Sequence, residues 1–147
     1  MNHKYFEISD IRDFLIFIDS NLDDTKYFHP HKFDYDTVKF ILENKKEDIY
    51  LLFYESNGII GYGILRGWDE GYKIPSLGIL IDKSVRGCGY SRRILDTLHE
   101  IAKRKFSESI RLTVKTDNNV AINFYEKNGY SFRQYNVDSL EGIFKIA

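Results

Sequence analysis

Hydrophobic residues recur with helical spacing in four segments of the chain, and each segment predicts an amphipathic helix. In chain order these are a helix that begins after Asp10, one that begins after Asp34 or Asp36, and helices over residues 89–105 and 118–128. An aspartate at a helix start accepts hydrogen bonds from the free amides of the first turn. Gly129 is a natural stop for the fourth helix.

Shorter apolar runs predict seven β-strands. They are Tyr5–Ile8, Ile49–Tyr54, Ile59–Leu65, Ser76–Ile81, Ile110–Val114, Tyr130–Tyr135 and Gly142–Ile146. The pair Asn57-Gly58 predicts a hairpin turn between the second and third of them. The continuous apolar run Ser76–Ile81 is typical of a buried central strand. Residues 20–33 and 66–75 are the predicted long loops.

The order of these elements is β-α-α-β-β-β-α-β-α-β-β, which predicts one α/β (α+β) domain over residues 1–147. Since strands and helices do not alternate regularly, we expect a mixed, mostly antiparallel sheet with helices against it. A length of 147 residues, with 43% hydrophobic and 29% charged residues, suits one folded domain with a substantial core.

Charge is unevenly distributed along the chain. Residues 1–70 contain 8 Lys/Arg and 14 Asp/Glu, whereas residues 71–147 contain 13 and 8, for a net charge of −1. A basic half beside an acidic half suits a polyanionic ligand bound by one and a cationic ligand bound by the other. A mixed surface with chance asymmetry is the alternative. The net charge argues against a nucleic-acid partner.

Membrane insertion and export are not expected. Apolar runs such as Phe14–Ile18 are far shorter than the roughly 20 residues that span a bilayer. No signal-peptide pattern is present at the start of the sequence, and the single cysteine, Cys88, cannot form an internal disulfide. These features favour a cytoplasmic protein.

A glycine-containing loop between the predicted central strand and the third helix suggests an anion site. It reads Val85-Arg-Gly-Cys-Gly-Tyr-Ser91, so its backbone can turn sharply and direct successive amides at one phosphate beside a helix N-terminus. A Walker loop requires Lys-Ser/Thr after the last glycine, and a dinucleotide loop requires glycine at position 92, which is Arg92. A glycine-rich turn without a ligand is the alternative.

A second motif accompanies this loop and, with it, resembles the GNAT acetyltransferase superfamily. Arg86, Gly89 and Ser91 fit Arg-x-x-Gly-x-Gly/Ala, with serine at the last position. Further along, Asn118, Ala121, Tyr125, Gly129 and Tyr130 fit Asn-x-x-Ala-x-x-x-Tyr-x-x-x-Gly-Phe, with tyrosine in the final place. One predicted helix and one predicted strand separate the two motifs, as in the family, and the close resemblance covers residues 76–135.

The resemblance implies an N-acetyltransferase that uses acetyl-coenzyme A. Backbone amides of Gly87, Cys88, Gly89, Tyr90 and Ser91, together with Arg86, would hold the pyrophosphate. The strand Ile79, Leu80, Ile81 would pair with the pantetheine arm, and an amide near Ile79 or Leu80 would polarise the thioester carbonyl. Asn118 would contact the cofactor arm, and Tyr125 would protonate the departing thiolate. From its position alone, Tyr125 could equally be a core aromatic residue.

The resemblance also implies direct attack by a primary amine in a ternary complex. For the acceptor we predict contacts from the two long loops, by His29, His31, Trp68, Asp69, Glu70 and Tyr72. The aromatic rings could pack on a sugar, and the carboxylates could bind an ammonium group, so an amino sugar is one candidate acceptor. The predicted central strand lacks a carboxylate, which leaves His29, His31, Asp69 and Glu70 as candidate bases.

Three questions stay open at the level of sequence. The chain could be a non-catalytic module that binds acyl-coenzyme A, or it could acetylate protein or peptide N-termini instead of a small molecule. It could act as a monomer or as a homodimer. His29 and His31 lack further spaced ligands, so we expect no metal site.

Overall fold

Seven strands form one continuous sheet in the computed structural model, which describes residues 1–147. The strands are β1 Asn2–Tyr5, β2 Ile49–Glu55, β3 Gly58–Arg66, β4 Ser76–Ile81, β5 Ser109–Lys115, β6 Ser131–Asn136 and β7 Ser139–Lys145. The helices are α1 Ile11–Asp19, α2 Tyr35–Asn44, α3 Tyr90–Arg104 and α4 Asn119–Lys127. The predicted order of elements and the mixed, mostly antiparallel sheet are confirmed.

The strand order in the sheet is β1-β2-β3-β4-β5-β7-β6, and every neighbouring pair is antiparallel except β4 and β5. These two parallel strands pair at one position, Ser76 with Arg111. By contrast, β4 pairs with β3 along its whole length, from Ser76 to Ile81. The two central strands therefore start side by side and then separate, which leaves a gap within the sheet beyond Ser76.

The predicted bounds of the first and last strands differ most from the structure: β1 begins at Asn2 instead of Tyr5, and β7 begins at Ser139 instead of Gly142. Strand β1 ends at Tyr5 instead of running to Ile8, because Phe6 turns into the core and residues Ile8–Asp10 form a short 3-10 turn. The carboxylate of Asp10 accepts a hydrogen bond from the amide of Glu7 at 2.9 Å, which closes that turn. The two long predicted loops also contain 3-10 turns, at Leu22–Asp24 and Trp68–Glu70.

Helices α1 and α2 cover one face of the sheet, and an aromatic cluster lies beneath them. Its centre is Tyr62 of β3, which is 1% exposed. The rings of Phe6, Phe14 and Phe28 lie 5.9, 4.7 and 6.0 Å from the Tyr62 ring, centroid to centroid. Burying rings of this size contributes about 2 to 3 kcal/mol each to the hydrophobic stabilisation, so this cluster fixes α1 and the loop that follows it to the sheet.

Helices α3 and α4 cover the opposite face. Three apolar residues of α3, Ile94, Leu95 and Leu98, are fully buried in this second core. Gly61 of β3 permits the close approach of the helix, because a Cβ at that position would lie 2.8 Å from the Cδ1 atom of Ile94. The sheet is therefore the middle of three layers. No helix combines the length and the apolar character that crossing a bilayer requires.

A pair of aspartates ties the loop after β3 to the chain before β2. The Oδ1 atom of Asp48 accepts hydrogen bonds from the amides of Gly67 and Asp69 at 3.0 and 3.1 Å. In return, the carboxylate of Asp69 accepts from the amides of Lys46 and Glu47 at 2.9 and 2.6 Å. Asp48 is 6% exposed, and burial raises the pKa of its carboxyl group. These reciprocal bonds fix the position of residues 67–70.

Replacing Asp48 tests this connection. In Asp48→Ala the amides of Gly67 and Asp69 lose their acceptor, so the free energy of unfolding should fall by about 1 to 3 kcal/mol in urea titrations. Glu43→Ala removes an exposed carboxylate from α2 and is the matched control, expected within about 0.5 kcal/mol of the parent protein. Equal stability of the two variants would contradict a structural role for Asp48.

Candidate functional site

The gap between β4 and β5 exposes main-chain groups of β4. The amide of Arg111 donates to the carbonyl of Pro75 at 3.0 Å, so odd-numbered residues of β4 direct their main-chain groups toward β5. On the other edge, the amide of Asp82 donates to Ile60 of β3 at 2.7 Å, which confirms this alternation. Beyond the single pair with β5, Ile79 and Ile81 therefore present main-chain groups to the gap.

Ile79 and Leu80 are the two residues predicted to supply an amide here, and the main-chain groups of Ile79 point toward the gap. Leu80 pairs with Tyr62 of β3, and its side chain is buried beneath α1 at 4% exposure. Ile79 is half-buried on the α3 face. An extended ligand in the gap would meet the main chain of Ile79 and Ile81, whereas Leu80 would support it from within the core.

The loop that follows β4 is anchored by a buried asparagine at the end of α1. Asn21 is 1% exposed, and its Nδ2 atom donates to Asp82 Oδ1 at 2.7 Å and to the Phe17 carbonyl at 2.8 Å. Its Oδ1 atom accepts from the amide of Lys83 at 2.9 Å. Both donors of this side chain and one of its two acceptor positions are used, so the start of the loop is held against α1.

The second half of the loop has free amides. None of the N–H groups of residues 86–92 donates to another group in the chain, and α3 begins at Gly89 without a side-chain cap. Gly87 and Gly89 have φ values of 75° and 84°, and the space beside both is open. Unpaired amides at the positive end of a 15-residue helix attract an anion. This is the arrangement that the sequence predicts for residues 86–91.

Side chains of the predicted phosphate loop differ in what they can contribute. Arg86 forms an ion pair with Asp24, which lies in the 3-10 turn after α1. Cys88 is exposed. Tyr90 and Ser91 form the first turn of α3 and are half-exposed. The loop thus offers mainly backbone donors, and the charge of Arg86 is shared with Asp24.

The second sequence motif forms the start and the buried face of α4. Asn118 is the N-cap residue, and its Oδ1 atom accepts from the amide of Ala121 at 3.3 Å. Tyr125 is 8% exposed and packs against the rings of Phe124 and Tyr130, with centroids 5.1 and 5.2 Å away. Its hydroxyl has no partner in the chain, and burial raises the pKa of Tyr125. The phenol therefore stays protonated and can donate.

A cavity of about 1020 Å³ opens on the other face of the sheet, beside the gap. Its walls come from the loops after α1 and β3 and from the ends of β4 to β7. Of the six predicted acceptor contacts, His29, Glu70 and Tyr72 line this cavity. Trp68 packs toward the α3 core, where Lys105 Nζ lies 4.9 Å from its ring centroid. Asp69 is occupied by the amides of residues 46–48.

His31 lies behind the cavity wall. Its Nδ1 atom is 2.8 Å from the carbonyl of Lys32, so Nδ1 carries the proton, and Nε2 accepts from the hydroxyl of Tyr62 at 2.8 Å. Burial lowers the pKa of His31. Both ring nitrogens are occupied, so of the four candidate bases only His29 and Glu70 face the cavity.

Several cavity residues were missed at the sequence level. They include Lys26, Arg66, Lys73, Arg111, Tyr135 and Glu141. Arg111 Nη1 donates to Ser76 Oγ at 2.8 Å, and its Nε donates to Glu141 at 2.9 Å. Alternating charged residues on β5 and β7 signal a solvated strand face, and nothing local in the sequence indicates that this face borders a cavity.

Acid should weaken the fold through His31. Because its pKa is lowered in the folded protein, the unfolded chain binds more protons below about pH 6.5, and stability is lost as the pH falls through that range. Burial lowers the pKa of His99 too, so the chain retains some pH dependence without His31. In His31→Gln, the difference in unfolding free energy between pH 8 and pH 5 should shrink.

The control for this measurement is His29→Gln, which removes an exposed histidine two residues away. Its pH dependence should match that of the parent protein. If His31→Gln retained the full pH dependence, the burial of His31 would not be the source of that dependence.

Comparison with known proteins agrees with this geometry. Residues 14–130, well over half of the chain, match the acetyltransferase (GNAT) family. No match was found among curated protein sequences. Among solved structures, PaiA N-acetyltransferase from Thermoplasma acidophilum, in complex with coenzyme A, is 14% identical with a TM-score of 0.81, over 98% of both chains.

Two further solved structures have the same fold with different acceptors in their names. Spermidine N-acetyltransferase from Vibrio cholerae, in complex with coenzyme A and spermine, has a TM-score of 0.82 at 16% identity, over 98% of this chain and 94% of that one. Ribosomal-protein-alanine N-acetyltransferase from Brucella melitensis also has a TM-score of 0.82, at 15% identity, over 99% and 100% of the two chains. At these identities the similarity establishes the fold alone.

Proposed function

The chain belongs to the acetyltransferase (GNAT) family, and on this basis we propose that it transfers an acetyl group from acetyl-coenzyme A to a primary amine of a small molecule. The observation that carries the proposal is the gap between β4 and β5. The free amides of residues 86–92 lie beyond the end of β4, Tyr125 lies on the α4 face, and the cavity lies on the opposite face. Donor and acceptor could therefore meet within the gap.

The residues present fit coenzyme A. The amides of Gly87, Cys88, Gly89, Tyr90 and Ser91 would hold its pyrophosphate, supported by the dipole of α3 and by Arg86. The main chain of Ile79 and Ile81 would pair with the pantetheine arm as a missing strand would. Asn118 already caps α4, so its remaining hydrogen-bonding groups are the ones available to that arm.

When bound, the cofactor supplies an activated acetyl thioester and a thiolate leaving group. The amide of Ile79 is a preorganised donor for the carbonyl oxygen on which negative charge develops. The hydroxyl of Tyr125 is neutral and without a partner in the chain, so it can give its proton to the sulfur as the C–S bond breaks and regain one from the amine nitrogen, which loses its second proton when the amide forms. The acceptor ammonium must lose a proton first, and His29 or Glu70 can take it, directly or through water.

Two alternatives have specific support. The lack of a carboxylate on β4 favours a non-catalytic module that binds acyl-coenzyme A. It predicts thermal stabilisation by coenzyme A with no release of thiol from acetyl-coenzyme A and any amine. The similarity to a ribosomal-protein acetyltransferase supports a peptide N-terminus as acceptor. An assay of thiol release with a panel of small amines and short peptides separates these possibilities.

We also propose a cytoplasmic location, which the single, unpaired Cys88 supports.

Tyr125→Phe tests the proton donor. Removing the hydroxyl should lower kcat by about 100-fold and leave the Kd for coenzyme A within about 2-fold, because the ring still packs in the core. Tyr130→Phe is the matched control, since it removes a buried hydroxyl that hydrogen-bonds His99 at 2.8 Å. It should reduce stability and not kcat. An unchanged kcat in Tyr125→Phe would remove Tyr125 from the mechanism.

Gly89→Ala tests the anion site. A side chain at φ 84° strains the loop and places a methyl group in the space that a phosphate would occupy, so calorimetry should show at least about 10-fold weaker binding of coenzyme A. Gly71→Ala is the control, because Gly71 also has a positive φ, 93°, and open space beside it, but lies in the acceptor-side loop. Equal affinity in the two variants would exclude this loop as the pyrophosphate site.

A further inference from the structure

The cavity beside the gap is lined by more cationic than anionic side chains, which bears on the acceptor. Its basic residues are Lys26, Arg66, Lys73, Arg111 and Lys115. Its acidic residues are Glu70 and Glu141. The electrostatic potential that a ligand meets in the cavity depends on which of these charges are already neutralised by partners in the chain.

The charged side chains on the β5 to β7 side of the cavity already have partners of opposite charge within the chain. Glu141 is 6% exposed and receives hydrogen bonds from Arg111 Nε at 2.9 Å and from Arg133 Nη2 at 2.6 Å. Burial favours the neutral acid, but these two arginines outweigh it and hold the pKa of Glu141 below its ordinary value. Lys115 forms an ion pair with Asp138 at 3.0 Å. Glu141 is thus unavailable to bind an ammonium group.

The charges on the loop side are free. Lys26 and Lys73 form no ion pair, and both side chains are exposed. Arg66 donates from Nη1 to the carbonyl of Pro30 at 2.6 Å and also hydrogen-bonds the side chain of Tyr50, which leaves the other N–H donors of its guanidinium available. A half-buried guanidinium with unused donors is well suited to a carboxylate or a phosphate. Against these three cations stands one uncommitted carboxylate, Glu70.

We propose that the acceptor is a small amine that also carries an anionic group, a carboxylate or a phosphate, and that Arg66, Lys26 and Lys73 bind that group. Glu70 is then left to attract the ammonium end, so the cavity recognises a molecule with both charges. The inference rests on the proposed acetyl transfer and adds the class of acceptor. This inference distinguishes the chain from acetyltransferases of polyamines, because a positively charged cavity would repel a polycation.

Matched acceptors provide the test. The wild-type protein is assayed by thiol release with an α-amino acid and its amide, an amino-sugar phosphate and the unphosphorylated amino sugar, and a polyamine. The anionic member of at least one pair should have a kcat/KM at least about 10-fold above its neutral partner and above the polyamine. The pair that shows the difference distinguishes carboxylate from phosphate. A higher kcat/KM for the neutral amines, the polyamine or a short peptide would overturn the inference while leaving acetyl transfer intact.

Charge reversal localises the effect. The double variant Lys26→Glu/Lys73→Glu should lose the preference for the anionic acceptor by about 10-fold, because the reversed charges repel its anionic group. The control is Lys103→Glu/Lys127→Glu, which changes the net charge equally on α3 and α4, away from the cavity, and should keep the preference. Equal losses in both variants would overturn the assignment to this cavity. Coenzyme A binding without turnover of any acceptor would instead overturn the proposed function itself.

Discussion

The separation of β4 from β5 is the constraint on which both halves of the candidate site depend. Were the two parallel strands paired along their length, the main chain of Ile79 and Ile81 would be satisfied within the sheet. The cavity on one face would also be closed off from Tyr125 on the other. Because pairing stops at Ser76 and Arg111, the sheet keeps unused hydrogen-bonding groups at its centre. Such groups need a ligand or water, since buried main-chain polar groups are rarely left unpaired.

The fold could be predicted from the sequence, and the cofactor side could be proposed from it, because the signals for both are local. Helical spacing, the Asn57-Gly58 turn and two short motifs each lie within a few consecutive residues. The long-range contacts that hold the phosphate loop and the loop after β3 could not be found in this way. Asn21 meets Asp82 across 61 positions, and Asp48 meets Asp69 across 21. In the sequence, a polar loop residue that is buried and hydrogen-bonded cannot be distinguished from one that is exposed to solvent.

The acceptor side was predicted less well, for a geometric reason. Trp68, Asp69 and Glu70 are consecutive residues of one 3-10 turn, so their side chains point in different directions. One packs into the α3 core, one is bound by amides, and one reaches the cavity. A cluster in the sequence was thus dispersed in space. In contrast, Arg66 and Tyr135 lie far apart in the sequence and border the same cavity.

The residues that hold the predicted phosphate loop come from the same part of the chain as one wall of the cavity beside the gap. Asn21 hydrogen-bonds Asp82, and Asp24 forms an ion pair with Arg86. The segment that follows Asp24 continues directly to His29, which lines the cavity. A chimera that imported this segment from a relative in order to alter acceptor choice would also replace both anchors. A change of acceptor specificity through the first long loop would therefore also change the residues that anchor the predicted phosphate loop.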